Sequence, residues 1–229
     1  LHRARPRRHG RSPLRHAVTD VPPDSKRLAD LARAYDFDAA DRDQRELYWR
    51  ADLLDEWTSR LASSASVLEL GAGTGQASRY VADKGFDVLA VDLSPGNVAK
   101  CRERGLPAVV ADMGNLEAIT DPAFAPPYDA AFAINSLIHF PKSQLAAALA
   151  SIRGALREGA ELMFTLWGGE SSEGHWEEDW TEPNRFFSFY DEDEARELTF
   201  PGFEWRQFST LDNRDKLNLY SLVIELTAS

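Results

Sequence analysis

The stretch Ser66–Leu93, SVLELGAGTGQASRYVADKGFDVLAVDL, constrains this chain more than any other part of it. Val67-Leu68-Glu69-Leu70 is a short apolar run of the kind that forms a buried parallel strand. Three glycines then alternate, Gly71, Gly73 and Gly75. Glycine has no Cβ and reaches positive φ at little cost, so this loop can turn sharply and bring its backbone against a ligand. Thr74 is a candidate cap for a helix from Gln76 to about Lys84, with Gly85 ending it. Asp87–Val91 gives a second strand, and Asp92 stands at its C-terminal end. Strand, glycine loop, helix, strand and acid make up half of a nucleotide-binding α/β fold.

A chain of 229 residues suffices for one α/β domain with a large core, and two compact domains are disfavoured. No apolar run is long enough to span a bilayer. Cys101 is the only cysteine, which excludes an intramolecular disulfide and cysteine-based zinc sites and suits a reducing cytoplasm. His2, His9, His16, His139 and His175 are too scattered to suggest a metal centre. The net charge of −11 is unevenly divided: residues 1–20 hold six arginines and one acid, leaving 20 basic and 36 acidic residues elsewhere. A folded part this acidic repels phosphate backbones, so nucleic acid is disfavoured as a substrate. Residues 1–23 are expected to form a disordered basic tail that need not belong to the native protein.

Further along, Asp24 or Ser25 opens a helix through Leu28 and Leu31 to Tyr35. A second helix spans about Asp43 to Leu61 and places Leu47, Leu53, Leu54, Trp57 and Leu61 near one face. Ser94 and Pro95 start a helix that ends near Gly105. Strands follow at Pro107–Val110, Tyr128–Ile134, Glu161–Trp167, Phe203–Phe208 and Leu217–Leu226. Between them lie helices on Ser143–Arg157 and from Asp191 to about Leu198, and a turn at Asn213–Asp215. Gly168–Pro183, GGESSEGHWEEDWTEP, has neither a helix nor a strand period. A loop of that length inside a compact domain is usually functional.

The pattern E-x-G-x-G-x-G from Glu69 to Gly75 resembles motif I of the class I S-adenosylmethionine-dependent methyltransferases. The dinucleotide fingerprint G-x-G-x-x-G fails here, because position 76 is Gln76. W-G-G-E at Trp167–Glu170 and R-F-F-S-F-Y at Arg185–Tyr190 resemble small bacterial members that act on small molecules. Departures are Gln76 after the loop and Arg157-Glu158-Gly159 where Pro-Gly is common. The resemblance implies an α/β, Rossmann-like, seven-stranded, mostly parallel sheet with a C-terminal antiparallel hairpin and helices on both faces. It assigns residues 24–229 to this domain, with N-terminal cap helices over 24–62 and a substrate lid over 168–185.

The cofactor implied is S-adenosyl-L-methionine. By resemblance Asp92 accepts from both ribose hydroxyls, which suits a carboxylate with two oxygens. Leu93 lies against adenine, Asp112 accepts from the adenine amino group, and the Met113 backbone reads the ring edge. Glu69 holds the methionine end, and Asn135 and Ser136 shape the methyl-transfer region. Gly71, Gly73 and Gly75 let the backbone approach. Singly, each acid is as well read as a solvated loop residue or helix cap.

His139 follows the fourth strand, and an imidazole titrates near neutrality at about 6.5, so it is the candidate base. The alternative is a histidine packed under the next helix. Tyr35, in an A-Y-D segment (Ala34-Tyr35-Asp36) like that of many relatives, either meets the substrate or packs its helix onto the core. Trp176 and Trp180 are candidates to cover a flat or cationic acceptor, and Glu173, Glu177, Glu178 and Asp179 to favour an amine. Arg185 either binds a substrate carboxylate or pairs with a neighbouring acid. The alternative for the segment is a solvated loop with its tryptophans tucked into the core. The function implied is methyl transfer to oxygen or nitrogen of a small-molecule acceptor, in the cytoplasm, with no membrane partner and no metal. Two other classes remain: a protein that binds the cofactor without turnover, and an NAD-type oxidoreductase, which the glycine spacing and closing hairpin disfavour.

Overall fold

The computed structural model describes residues 24–44, 48–177, 179–212 and 220–229. The tail at 1–23, Leu47, Glu178 and the turn expected at Asn213–Asp215 lie outside the described residues. The frame is five strands in parallel: β1 (Ser66–Leu70), β2 (Asp87–Asp92), β3 (Ala108–Val110), β4 (Tyr128–Ala133) and β5 (Leu156–Gly168). They lie in the order β3-β2-β1-β4-β5. The chain runs outward from β1 through β2 and β3, then returns to the far side of β1. The order therefore reverses between β1 and β4, where an open α/β sheet forms its ligand crevice at the strands' carboxyl ends.

Alternation along the strands divides the core. Val67, Val88, Ala130, Phe132 and Met163 meet Leu53, Leu54 and Trp57 of α2 (Tyr48–Thr58) and Val81 of α3 (Gln76–Ala82). Leu68, Leu70, Leu89, Val91, Ala131, Leu162 and Phe164 point the other way, onto Leu145, Leu149 and Ile152 of α5 (Lys142–Gly154). Helices cover both faces, as a parallel sheet requires.

Local sequence signals set several helix starts. Ser94 Oγ accepts from the Asn97 N–H at 3.0 Å, with Pro95 in the first turn of α4 (Pro95–Glu103). Asp191 does the same for Glu194 N–H at 2.8 Å, opening α6 (Glu192–Glu197). Thr74 does not cap α3: Gly75 occupies that position, left-handed at φ 81° and without a side-chain cap. The first helix, α1 (Asp24–Arg42), continues well past Tyr35, since Asp36–Arg42 contains no glycine or proline and Ala39 is buried. A turn at Asp43 and Gln44 then ends it, and α2 is described from Tyr48.

Among the described residues the sheet holds nine strands, two more than the seven expected. The closing pair is as expected: β9 (Tyr220–Ala228) enters antiparallel to β5 and pairs with β8 (Phe203–Asp212). The addition is a hairpin of β6 (Ser172–His175) and β7 (Phe186–Tyr190), so the stretch read as a structureless loop contains a strand. Ser-Glu-Gly-His shows no apolar alternation, and its extended form follows from pairing with the wholly buried Phe186–Tyr190. β7 runs parallel to the end of β5, pairing Trp167 with Phe189 and Gly168 with Tyr190. One edge of β5 is taken by β9 up to Gly168 and the other by β4 only as far as Phe164. The hairpin therefore occupies the edge just beyond the end of β4, beside the crevice. Gly168 pairs on both sides and has no room for a side chain, for a Cβ there would sit 2.2 Å from the Tyr220 ring.

Trp57 is fully buried, edge-on to Phe132, and its indole N–H has no partner among the described residues. Trp57→Ala is expected to cost about 3–5 kcal/mol in urea unfolding, while Trp57→Phe costs less because the N–H it deletes is unpaired.

Candidate active site

β1 delivers its loop to the crevice. Gly71 (φ 73°) donates to Val91 O at 2.8 Å, and a Cβ there would come within 2.3 Å of Ser136 Cβ. Gly73 (φ 56°) faces open space, and its N–H donates to Asp92 Oδ2 at 2.7 Å. Asp92, buried at the end of β2, also accepts from Ser94 N–H at 2.8 Å and from Asn97 Nδ2 at 3.2 Å. These three donors fix the plane of its carboxylate. Asp112, just after β3, accepts from Gly114 N–H at 2.8 Å and caps the 3-10 turn Met113–Ala118. Glu69 is buried and accepts from Ser78 Oγ of α3. Gly75 packs on Cys101, whose thiol is pushed up to about 12 by burial and by the Glu69 and Asp92 carboxylates.

After β4, Asn135 takes the left-handed conformation (φ 54°), uncommon for a residue with a side chain. Its N–H donates to Thr165 Oγ1 at 2.8 Å. Its Oδ1 accepts from Thr165 Oγ1 at 3.1 Å and from Trp167 Nε1 at 3.2 Å. Ser136 Oγ donates to Leu70 O at 2.8 Å, tying the β4 loop to β1. His139 is buried, with Nδ1 2.8 Å from Phe186 O of the hairpin and Nε2 2.5 Å from the Tyr35 hydroxyl.

Tyr35 comes from α1, which crosses above the loop and is fixed at both ends. Near its start Asp24 accepts from Gln144 Nε2 at 2.7 Å. Arg27 donates to His139 O at 2.9 Å and to Gln144 Oε1 at 3.1 Å. Further along, Asp36 accepts from Ser94 Oγ and from Gly96 N–H, the latter at 2.8 Å. Burial lowers the Arg27 guanidinium, partly offset by Asp24 and Asp112. Arg27 escaped the sequence reading. Its signal was position, since 27, 31 and 35 share one helix face with Leu31 and Tyr35.

One cavity gathers most of these groups, with about 1060 Å³ of protein-free space including its open mouth. Its wall includes Glu69, Gly71, Gly73, Asp92, Leu93, Asp112, Met113, Asn135, Ser136, His139 and Tyr35, together with Arg27, Leu28, Ala72, Gln76, Asn97 and Phe140. Of the residues singled out from sequence, Gly75, Glu173, Trp176, Glu177, Asp179, Trp180 and Arg185 are not on that wall. Trp176 is buried among Ile138, Phe187 and Phe189. Trp180 is 65% exposed. Arg185 is buried against Asp179, with Nη2 2.6 Å from Oδ1 and Nε 3.2 Å from Oδ2, and its guanidinium lies 5.1 Å from the centre of the Tyr35 ring. Among the described residues no cluster could hold a metal ion, and no helix is long and apolar enough to cross a membrane.

A family model described as a methyltransferase domain matches residues 42–199. The chain belongs to the methyltransferase domain family. It is a class I, S-adenosyl-L-methionine-dependent methyltransferase. Solved structures share its fold. A 1,6-didemethyltoxoflavin-N1-methyltransferase from Burkholderia thailandensis, with bound 1,6-didemethyltoxoflavin and S-adenosylhomocysteine, superposes at a TM-score of 0.72 with 19% identity over 93% of each chain. DhpI in complex with S-adenosylhomocysteine (SAH) gives 0.64 and 20% identity, over 90% of this chain and 99% of that one. The N-methyltransferase NodS from Bradyrhizobium japonicum WM9, also with SAH, gives 0.64 and 14% over 87% and 98%. At such identities the likeness concerns the fold alone. No curated protein matches the sequence.

The Asp179–Arg185 pair underlies the Tyr35 side of the methyltransferase cavity. Burial raises the Asp179 carboxyl, and the Arg185 hydrogen bonds outweigh it, holding the group below its ordinary 3.8. Its stabilisation is complete above that pH and fades as pH falls through the lowered value. Arg185→Leu strands a buried carboxylate and is expected to cost about 3–5 kcal/mol at neutral pH. The gap to wild type should narrow in acid, where the stranded Asp179 of the variant takes up a proton while the paired carboxylate of the wild type stays charged, as paired urea titrations at about pH 7 and about pH 4 would show.

Proposed function

We propose that this methyltransferase transfers a methyl group to an oxygen or nitrogen atom of a small molecule. The observation that carries the reading is one continuous cavity lined by Glu69, Asp92 and Asp112 together with Tyr35 and His139. It brings residues assigned to the cofactor and residues assigned to the acceptor to a single space. A helix roofs that space, which favours an acceptor that fits beneath it over a macromolecular surface. The acidity of the chain outside residues 1–20 argues against nucleic acid. A single, buried cysteine suits a reducing compartment, and the cytoplasm is the proposed site of action.

The residues present suit S-adenosyl-L-methionine. It supplies, when bound, a methyl group activated on a positively charged sulfonium. Asp92 is assigned to the ribose hydroxyls, Leu93 to a face of adenine, Asp112 to its amino group and the Met113 backbone to its edge. Glu69 and Asn135 are assigned to the methionine end, and Gly71, Gly73 and Gly75 to close backbone approach. The space open above Gly73 is a cradle that a side chain would begin to fill. Arg27 adds a buried cation to the wall, suited to an anionic group. Positioning two reactants in line supplies on the order of 7–11 kcal/mol in well-oriented cases. His139 is the assigned base. The 168–185 segment is the assigned lid; it leads into Phe186 and Phe187 against His139, and Arg185 lies over Tyr35.

Calorimetry with SAM, SAH and NAD tests the reading. Micromolar SAM and SAH affinity without NAD binding is expected, and tight NAD binding overturns it. Asp92→Ala should abolish SAH binding. Gly73→Ala should cost only about 1 kcal/mol of stability, since its left-handed φ resists a side chain, yet weaken SAH at least tenfold. SAH release with a panel of phenols and amines then reads the acceptor atom.

A further inference from the structure

Two hydrogen-bond assignments on the cavity wall restrict the acceptor more tightly. The first concerns His139. Its Nδ1 lies 2.8 Å from Phe186 O. A carbonyl oxygen only accepts, so Nδ1 carries the hydrogen and, in the neutral ring, Nε2 bears the lone pair. That lone pair meets the Tyr35 hydroxyl at 2.5 Å, and Tyr35 is the donor. His139 is only 3% exposed, whereas Tyr35 is partly exposed on the cavity wall.

The second concerns Asn135. Trp167 Nε1 can only donate, and it points at one atom of the Asn135 amide at 3.2 Å. That atom is therefore the oxygen, and the Thr165 hydroxyl donates to it as well at 3.1 Å. With Oδ1 engaged by two donors inside the protein, the NH2 group is the side of the amide that Asn135 offers to the cavity. A donor there suits an oxygen lone pair and opposes an amine N–H.

We propose that the acceptor is a hydroxyl compound of phenol or enol type, and that Tyr35 and His139 together take its proton. Resting on the methyl-transfer reading, this names the acceptor atom as oxygen and Tyr35 as the catalytic residue that meets it. Replacing O–H by O–CH3 releases one proton for each methyl group delivered. That proton passes to Tyr35 Oη as the hydrogen of Tyr35 passes to His139 Nε2. The result is an imidazolium whose Nδ1–H stays on Phe186 O. One N–H of the Asn135 amide holds the acceptor oxygen through a second lone pair, leaving the other for the methionine end assigned to it above. An amine needs no such base, since its free form attacks without first losing a proton. Charged groups around the pair are Arg27, which donates to His139 O, and Arg185, which lies over the Tyr35 ring and donates to its hydroxyl, leaving that oxygen one lone pair for the incoming proton, with Asp179 behind it.

The test has a spectroscopic and a kinetic arm, both on the full chain. In 15N-histidine NMR at neutral pH, His139 is expected as the neutral Nδ1–H tautomer. An Nε2–H tautomer overturns the proposal whether or not an acceptor is in hand. SAH affinity of Tyr35→Phe should stay within about twofold of wild type; failure of wild type to bind SAH would instead refute the methyl-transfer reading and leave the NMR result standing. In SAH release with phenols of graded acidity, Tyr35→Phe and His139→Gln should each lose about 10²–10⁴-fold in kcat with little change in KM. The double variant should be no worse than the poorer single, and the loss should shrink for the more acidic phenols. Asn135→Asp should raise phenol KM on the order of tenfold, as expected for one lost hydrogen bond. Turnover of amines with no hydroxyl compound accepted overturns the proposal. So does an equal loss across all phenols, which would make the Tyr35–His139 bond a latch for α1.

Discussion

The Asp92 carboxylate is the interaction on which the rest of this structure depends. It stands where β2 ends and accepts from the loop after β1 through Gly73 N–H, and from the entry to α4 through Ser94 N–H and Asn97 Nδ2. A buried carboxylate without such donors would cost several kcal/mol. With them it pins two loops and one helix start to one point. Ser94, whose own Oγ caps α4, passes the connection on to Asp36 and so to the roof helix. The anchor of the sheet edge and the placement of α1 are thus one hydrogen-bonded chain.

Elements whose signals are local were legible in the sequence. β1, β2 and β4 are largely apolar runs, the first two ending at Gly71 and Asp92 and the third entered from Pro126-Pro127, and Ser94-Pro95 and Asp191 cap helices by side-chain chemistry that needs nothing distant. The glycine loop was legible for a similar reason: each glycine is demanded by its own backbone. The β6–β7 hairpin was not. Ser172–His175 becomes a strand because Phe186–Tyr190 lies beside it, and that juxtaposition is set by the spare edge of β5 above β4. Nor were the fates of Trp176 and Arg185, whose partners, Phe187, Phe189 and Asp179, were on the page but without a geometry to join them.

The candidate site divides in the same way. Glu69, Asp92, Asp112 and Asn135 each stand at or just beyond the carboxyl end of a parallel strand, so the sheet alone brings them to one edge. Arg27 and Tyr35 reach that edge from a helix more than thirty residues upstream of the glycine loop. Their places depend on how α1 docks. Sequence could name Tyr35 as a candidate, but its bond to His139 and the stacked Arg185 are tertiary facts.

The roof helix has a consequence for timing. Asp24, Arg27, Tyr35 and Asp36 attach α1 by hydrogen bonds to three other parts of the chain, while Phe37 is left 84% exposed. Hydrogen bonds that can be exchanged for water contribute only about 0.5–1.5 kcal/mol each. Such a helix is held by several separate bonds, each of modest strength. Helix and lid motions fall on the microsecond-to-millisecond scale and often set the pace of enzymes that enclose their reactants. The attachments of α1 therefore bear on how fast the cavity exchanges its contents, separately from the chemistry beneath it.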